Sequence, residues 1–352
     1  MTRSDGHIPL FTQLITADRP AGAGAPDTAK TSFARIRRRA QEAEAAGIDA
    51  LLLADRQSAA PDPADNPHFE AGTLAAALAV CTTGVGIVAT VCTEHALPYH
   101  VARTLATLDH LGAGRAGWQP LVHADSDASA NYRRAPSTSA VRHARATEFA
   151  AVLTGLWDSF DDDAFVRDRA SGTYFFPERL HALDHKGEYF DVAGPLNIAR
   201  PPQAHPPLVQ RTTDARELAL AARIADVVLL PARGVGDAKA VRDDLREQAR
   251  RAGRDPDEIA VLLDWPADGT TGSADRLRAV YDAGDADGFT LCAPSPRSDA
   301  AHDAVLALVA EIRRAGGGSA APPGSATLRD RLGLARPTGR HRATRAADGV
   351  TV

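Results

Sequence analysis

GVGIVATVCTEHALPYHVARTLATLDHLGAGRAGWQPLVH, Gly84 to His123, is the stretch that decides the fold. Val85 to Val91 is an apolar run too short for a helix and flanked by Gly84 and Gly86, which predicts a buried strand. Polar residues follow at once: Cys92, Thr93, Glu94 and His95. Pro98 then opens a helical pattern with Leu105 and Leu108 facing inward, stopped by glycines at Gly112 and Gly114. A second strand runs from Arg115 to about Val122 and ends at His123. Strand, polar tip, helix, strand, polar tip is a parallel βαβ unit, and such folds build their sites at the strand C-termini.

The same rhythm continues in both directions. Upstream, strands are expected at 8–16 and 48–54, each followed by a helix (about 31–46 and 70–80). Downstream, a polar loop at 124–138 leads to a helix over 141–157, and the irregular stretch 158–207 reads as a β-excursion inserted in the domain. Strands at 207–213, 226–230, 259–264 and 288–292 then alternate with helices at 214–224, 237–252, 273–283 and 300–315. Eight strand–helix pairs without hairpin turns predict a single α/β domain, a TIM (β/α)8 barrel over 1–315 carrying the 158–207 insertion. An open doubly wound sheet is the alternative, but no glycine fingerprint follows the first strand. Residues 316–352 read as a linker and C-terminal tail, with a short helix packing back at Thr327–Leu334 and an unordered basic end from Arg336.

The chain of 352 residues has a formal charge of -5, too small and of the wrong sign for a nucleic-acid or membrane footprint. Three cysteines without metal-type spacing, and an N-terminus lacking an apolar leader, point to a reduced cytoplasmic protein. No stretch approaches a membrane span.

If the barrel closes, the strand tips bring together Gln13, Thr16, Asp55, Arg56, Cys92, Thr93, Glu94, His95, Trp118, Gln119, His123, Gln210, Arg211, Arg233, Asp264, Trp265 and Cys292. Titratable groups of both signs on one rim suit proton transfer or recognition of a polar ligand. His95 and His123 are the acid/base candidates because imidazole changes charge near neutrality, with Glu94 beside them. The bland readings are solvated rim histidines, and aspartates at 55 and 264 that only cap loops or pair with Arg211 or Arg233. A metal hydrolase is disfavoured, because the first strand carries no pair of histidines. Neither a Gly-x-Ser-x-Gly elbow nor a P-loop occurs.

Several segments carry a resemblance: FEAG (69–72), VATVCT (88–93), PYHVAR (98–103), DHLGAGRAGW (109–118), RATEF (145–149), GLWDS (155–159) and DHKG (184–187). With GPLN (194–197), RIADVV (223–228), AGDADGF (283–289) and TLRDRLGL (327–334), they cover nearly the whole chain. In these the sequence resembles the nitrilotriacetate monooxygenase component A group of bacterial luciferase-like flavin-dependent monooxygenases. The resemblance implies a TIM barrel, reduced FMN delivered by a separate flavin reductase, O2 and a small-molecule substrate, and a homo-oligomer. It carries Asp55 and Thr93 onto positions lining the flavin pocket.

The departures from the family pattern are informative. Gln119 stands where the family has Asn, and His143 where a Tyr helps to hold the flavin phosphate. The small, Ser- and Gly-rich start of the fifth barrel helix becomes Arg211-Thr212-Thr213-Asp214-Ala215-Arg216-Glu217. Asp214 with Glu217 is an acidic capping arrangement, able to satisfy the helix N–H groups that would otherwise bind phosphate. A helical insertion after the seventh strand, which covers the flavin in the family, is missing: Asp264 to Gly269 leads almost directly into the next helix. Two expectations follow. One is a monooxygenase of secondary metabolism using FMNH2 and O2, with FMN bound through Asp55, Thr93, Gln119, His143, Arg211 and Asp214. The other is a relative that has lost FMN and serves as a flavin-independent enzyme or a non-catalytic partner protein.

Overall fold

A computed structural model describes residues 7–14, 16, 33–59, 69–122, 126–231, 235–293, 299–316 and 326–341. Four strands come first: β1 (Leu10–Gln13), β2 (Ala50–Leu53), β3 (Gly86–Cys92) and β4 (Ala116–Leu121). The excursion holds a small antiparallel pair, β5 (His185–Lys186) and β6 (Asp191–Val192). Four more strands follow: β7 (Val209–Arg211), β8 (Val227–Leu230), β9 (Ala260–Pro266) and β10 (Gly288–Cys292). The eight long-range strands form one parallel sheet in the order β4-β3-β2-β1-β10-β9-β8-β7. Its two ends meet: Trp118 bridges Leu208 in parallel, and the Trp118 N–H donates to the Pro207 carbonyl at 3.0 Å. That contact closes the barrel and excludes the open sheet.

Around it stand α1 (Phe33–Ala46), α2 (Ala71–Ala79), α3 (Pro98–Leu111), a short α4 (Ser126–Asn131) and α5 (Ser139–Trp157). After the excursion come α6 (Ala215–Ile224), α7 (Val235–Arg251), α8 (Ser273–Asp282) and α9 (Asp299–Arg314), and α10 (Leu328–Arg331) ends the series. Local chemistry sets the starts. Pro98 occupies the first turn of α3, where its missing N–H costs nothing, and Glu70 accepts from the N–H groups of Gly72 and Thr73 at the head of α2. The polar loop expected at 124–138 contains α4, six residues whose short polar sequence gives no helical periodicity.

Strand alternation divides the core in two. Phe11, Leu52, Val88, Val209, Leu229 and Leu262 fill the lumen, while Leu10, Leu51, Leu53, Trp118, Val228 and Leu263 face the helices. Leu328, Leu332 and Leu334 belong to the lumen cluster, so α10 stoppers the barrel at the N-terminal ends of the strands. A capping box between Thr327 and Asp330 starts α10, and the Leu328 N–H donates to the Gly114 carbonyl at 2.8 Å. Gly114 has φ +83°, and a Cβ there would lie 2.7 Å from Thr327 Cγ2, so this contact requires glycine.

The short helix expected to pack back at Thr327–Leu334 is α10, the expected linker lies from 317 to 325 outside the described residues, and the basic end expected to be unordered is placed from Arg336 to His341. Residues 326–341 lie at the barrel's base, and Arg336 and Arg340 find partners in Asp162 and Asp158 at the start of the excursion. Arg336 pairs with Asp162 at 2.6 Å, Arg200 with Asp158 at 2.8 Å, and the Arg340 N–H reaches Asp158 at 3.3 Å. Hydrogen bonds from Arg336 and then Arg200 outweigh burial and hold the Asp162 carboxyl down at about 2. The excursion lies on the flank and base: Glu148 of α5 holds the β5–β6 turn through His185 Nε2 at 3.0 Å and the N–H groups of Tyr189 and Phe190.

Candidate active site at the barrel mouth

The lumen turns polar one layer above its apolar plug. Two residues beyond Phe11, Val88, Val209 and Leu262, the same strand faces carry Gln13, Thr90, Arg211 and Asp264. Gln119 is in register with Thr90 across β3 and β4, and Thr290 with Asp264 across β9 and β10. Arg211 Nη1 donates to Asp264 Oδ2 at 2.5 Å, the pairing anticipated as the bland reading of Asp264. The other carboxylate oxygen, Oδ1, is buried without a nitrogen or oxygen partner among the described residues, as is the Thr290 hydroxyl. The Cys292 thiol lies beside this carboxylate; burial first, then the Asp264 charge, pushes it up to about 11, which keeps it a neutral thiol. A ring with one cation, one acceptor in need of a donor, and several hydroxyl and amide groups can hold a polar ligand.

A second part of the rim sits above β2 and β3. A cavity of about 200 Å³ is lined by Asp55, Glu70, Thr90, Cys92, His95 and Tyr132, among others. Asp55 accepts from the N–H groups of Arg56 at 2.7 Å and Ala71 at 3.2 Å, yet burial dominates and raises its carboxyl above the usual range. Tyr132 stacks on His95 with ring centroids 4.1 Å apart and an interplanar angle of 17°. Its hydroxyl donates to Gln57 Oε1 at 2.6 Å, and the Asn131 amide donates to the Gln57 carbonyl at 2.8 Å. The end of α4 thereby folds over the tip of β3. Sequence reading missed Tyr132; its one signal was an aromatic, flanked by Asn131 and Arg133, inside an otherwise polar loop.

The remaining candidates scatter. Glu94 accepts from the Ser137 N–H at 3.3 Å, which ties the β3 tip to the approach of α5. Thr93 is 1 % exposed and its hydroxyl reaches the Leu121 carbonyl at 3.4 Å, so it faces the neighbouring strand rather than a pocket-lining position. His143 lines an outer groove of about 660 Å³ between α5 and α6, together with Glu148, Arg216 and Arg223. His123 and Arg233 lie outside the described residues. Six residues, 267–272, join β9 to α8, in accord with the missing lid.

At α6 the acidic cap is formed. Asp214 Oδ1 accepts from the N–H groups of Arg216 at 2.8 Å and Glu217 at 2.9 Å. Glu217, 2 % exposed, turns back and accepts from the Thr213 N–H at 2.5 Å and its hydroxyl at 2.8 Å. The Leu218 N–H goes to the Asp214 carbonyl. Among the described residues no group of three His, Cys, Asp or Glu is placed to hold a metal ion, and no helix is long and apolar enough to cross a membrane.

Comparison with known proteins gives this barrel its relatives. The model of the luciferase-like monooxygenase family matches residues 13–319. The chain belongs to the luciferase-like monooxygenase family. One of the subunits of pristinamycin IIA synthase from Streptomyces pristinaespiralis is 40% identical over 311 residues, 88% of this chain and 92% of that protein. A different polypeptide of the same synthase is 33% identical over 68% of this chain and 53% of its own length. N-acetyl-S-(2-succino)cysteine monooxygenase from Bacillus subtilis (strain 168) is 38% identical over 68% of this chain and 55% of its own. The chain thus spans about half the length of several curated relatives it matches. Among solved structures, EDTA monooxygenase from Chelativorans sp. BNC1 superposes with a TM-score of 0.81 at 25% identity, covering 94% of this chain and 99% of that one.

Members of this luciferase-like family work with reduced flavin. In the present family member the rim fits a polar ligand, whereas the α6 N-terminus does not fit a phosphate dianion. A carboxylate at ~4 Å from each phosphate charge costs about 1 kcal/mol at water-like screening and about 4 kcal/mol at an effective dielectric of 20. Two carboxylates therefore outweigh what a helix N-terminus returns, about 0.3–1 kcal/mol.

Proposed function

We propose that this chain works in a monooxygenase that consumes reduced FMN and O2 and oxygenates a small organic substrate of secondary metabolism. The observation that carries the reading is the polar mouth, with Asp55, His95 and Tyr132 around one cavity and Arg211–Asp264 on the floor, in a luciferase-like chain. In such systems O2 would supply the oxygen atom, reduced flavin the two electrons, and the second oxygen would leave as water. The residues of this chain bind the substrate and handle protons: Arg211 donates to carbonyl or carboxylate oxygens, and the second oxygen of Asp264 accepts from an N–H or hydroxyl. His95 moves the proton, its ring held flat by Tyr132, with Glu94 beside it at the tip of β3.

A second luciferase-like chain is the proposed partner, beside a separate flavin reductase. Support comes from the end-to-end match to one polypeptide of pristinamycin IIA synthase, a synthase whose other matching polypeptide is also a relative of this chain. In the test, FMNH2 is generated by a reductase under 18O2 with a panel of thioethers, acylated amino acids and cyclic amides, with this chain alone and with such a second chain. One 18O atom in a product, detected by mass spectrometry and dependent on both reductase and this chain, supports the reading. Oxygen consumption ending only in hydrogen peroxide under every condition contradicts it.

A further inference from the structure

We infer that this chain does not seat a flavin phosphate on α6. The inference rests on that oxygenase reading but concerns only where the phosphate goes. A helix N-terminus binds phosphate when its first N–H groups lack partners. Here the N–H groups of Thr213, Arg216 and Glu217 already donate to the carboxylates of Glu217 and Asp214, at 2.5, 2.8 and 2.9 Å. The Thr213 hydroxyl, the natural side-chain donor to an incoming phosphate, donates to the same Glu217 oxygen at 2.8 Å.

The nearby cations do not reverse this. Arg211, the strand residue leading into the turn, is directed across the mouth to Asp264 at 2.5 Å, towards the ring proposed to hold the substrate rather than towards α6. His143 and Arg216 meet in the outer groove alongside Arg223, but Glu148 and Glu188 line the same groove. His143 Nδ1 is within 2.7 Å of the Ser139 carbonyl. A phosphate arriving at α6 would therefore have to displace four charge-assisted bonds and two carboxylates at once. The arrangement also closes on itself: Glu217 is almost completely buried, so its carboxylate cannot swing into solvent without breaking both bonds to Thr213.

The test compares FMN with riboflavin, which differ only in the phosphate, in anaerobic fluorescence titrations of the purified full chain in oxidised and reduced forms. The wild type is expected to bind FMN no more than threefold tighter than riboflavin, failure to bind either included. Two double variants reopen the turn. Asp214→Asn with Glu217→Gln removes the charges at constant shape, and Asp214→Ser with Glu217→Ala also frees the N–H groups. Both are checked for unchanged circular dichroism. The second is expected to gain at least tenfold in FMN affinity relative to riboflavin, and the first less. A wild type that prefers FMN tenfold or more overturns the inference, as does a folded Ser/Ala variant that gains no preference for FMN. Failure of 18O incorporation would sink the oxygenase reading and leave this ratio unaffected.

Discussion

Replacing Leu328 by Ala would measure how firmly the C-terminal segment holds the barrel. Leu328 is completely buried in the lumen cluster with Val88 and Val209. Its methyl groups lie where a Cβ on Gly86 would come within 2.9 Å, so the glycine at 86 makes room for it. The substitution deletes three carbons, about 2.4 kcal/mol at roughly 0.8 kcal/mol each. The lumen wall is β-sheet closed by hydrogen bonds and cannot collapse onto the gap, so a cavity term adds to this, for a total of about 3–4 kcal/mol. The assay is urea unfolding followed by tryptophan fluorescence, with thermal unfolding alongside. The midpoint should fall with an unchanged slope, and Tm should drop by on the order of 6 °C or more. Leu111→Ala, at a residue 49% exposed, serves as the surface control and should change stability by less than about 0.5 kcal/mol. A Leu328→Ala loss below about 1 kcal/mol would refute the claim that α10 stoppers the lumen of the barrel.

Three further outcomes follow from the geometry. Asp162 has its carboxyl held at about 2 against an ordinary 3.8, so the clasp it forms with Arg336 and Arg200 is complete above pH 3.8. It is lost as pH falls through about 2, so amide exchange at 334–341 should rise over that window, and a flat profile would contradict the clasp. The Cys292 thiol, raised to about 11, should be alkylated slowly at pH 8 by a mass-resolved assay, with an inflection near 11. Asp264→Asn should move that inflection down, and a wild-type inflection near 9 would refute the buried placement. Tyr132→Ala should uncover His95 and raise its reactivity towards diethyl pyrocarbonate several-fold, with no change expected if the ring stack is absent in solution.

The barrel was legible because each strand–helix pair announces itself locally. The run from Gly84 to Val91, Pro98 at a helix start and the Gly112–Gly114 stop are short-range signals, and the structure realises them as β3, α3 and the turn before β4. The acid cap of α6 was legible for the same reason, since Asp214 and Glu217 act within one turn of the chain. What stayed hidden depends on partners far apart in sequence. Arg336 looked like solvated tail until Asp162, 174 residues away, supplied its counter-charge. Tyr132 looked like loop until folding set it on His95, and Thr93 looked like a rim group until its hydroxyl turned to Leu121. Polar side chains at a strand tip can face the mouth or the next strand, and only the three-dimensional register decides between them.

Crystals of the wild-type chain grown in excess FMN would test the closed cap at α6 most directly. The account predicts that Asp214 still bonds the N–H groups of Arg216 and Glu217, and Glu217 those of Thr213, with no phosphate against the helix. Phosphate density within hydrogen-bonding distance of those N–H groups, with the two carboxylates swung away, would contradict it.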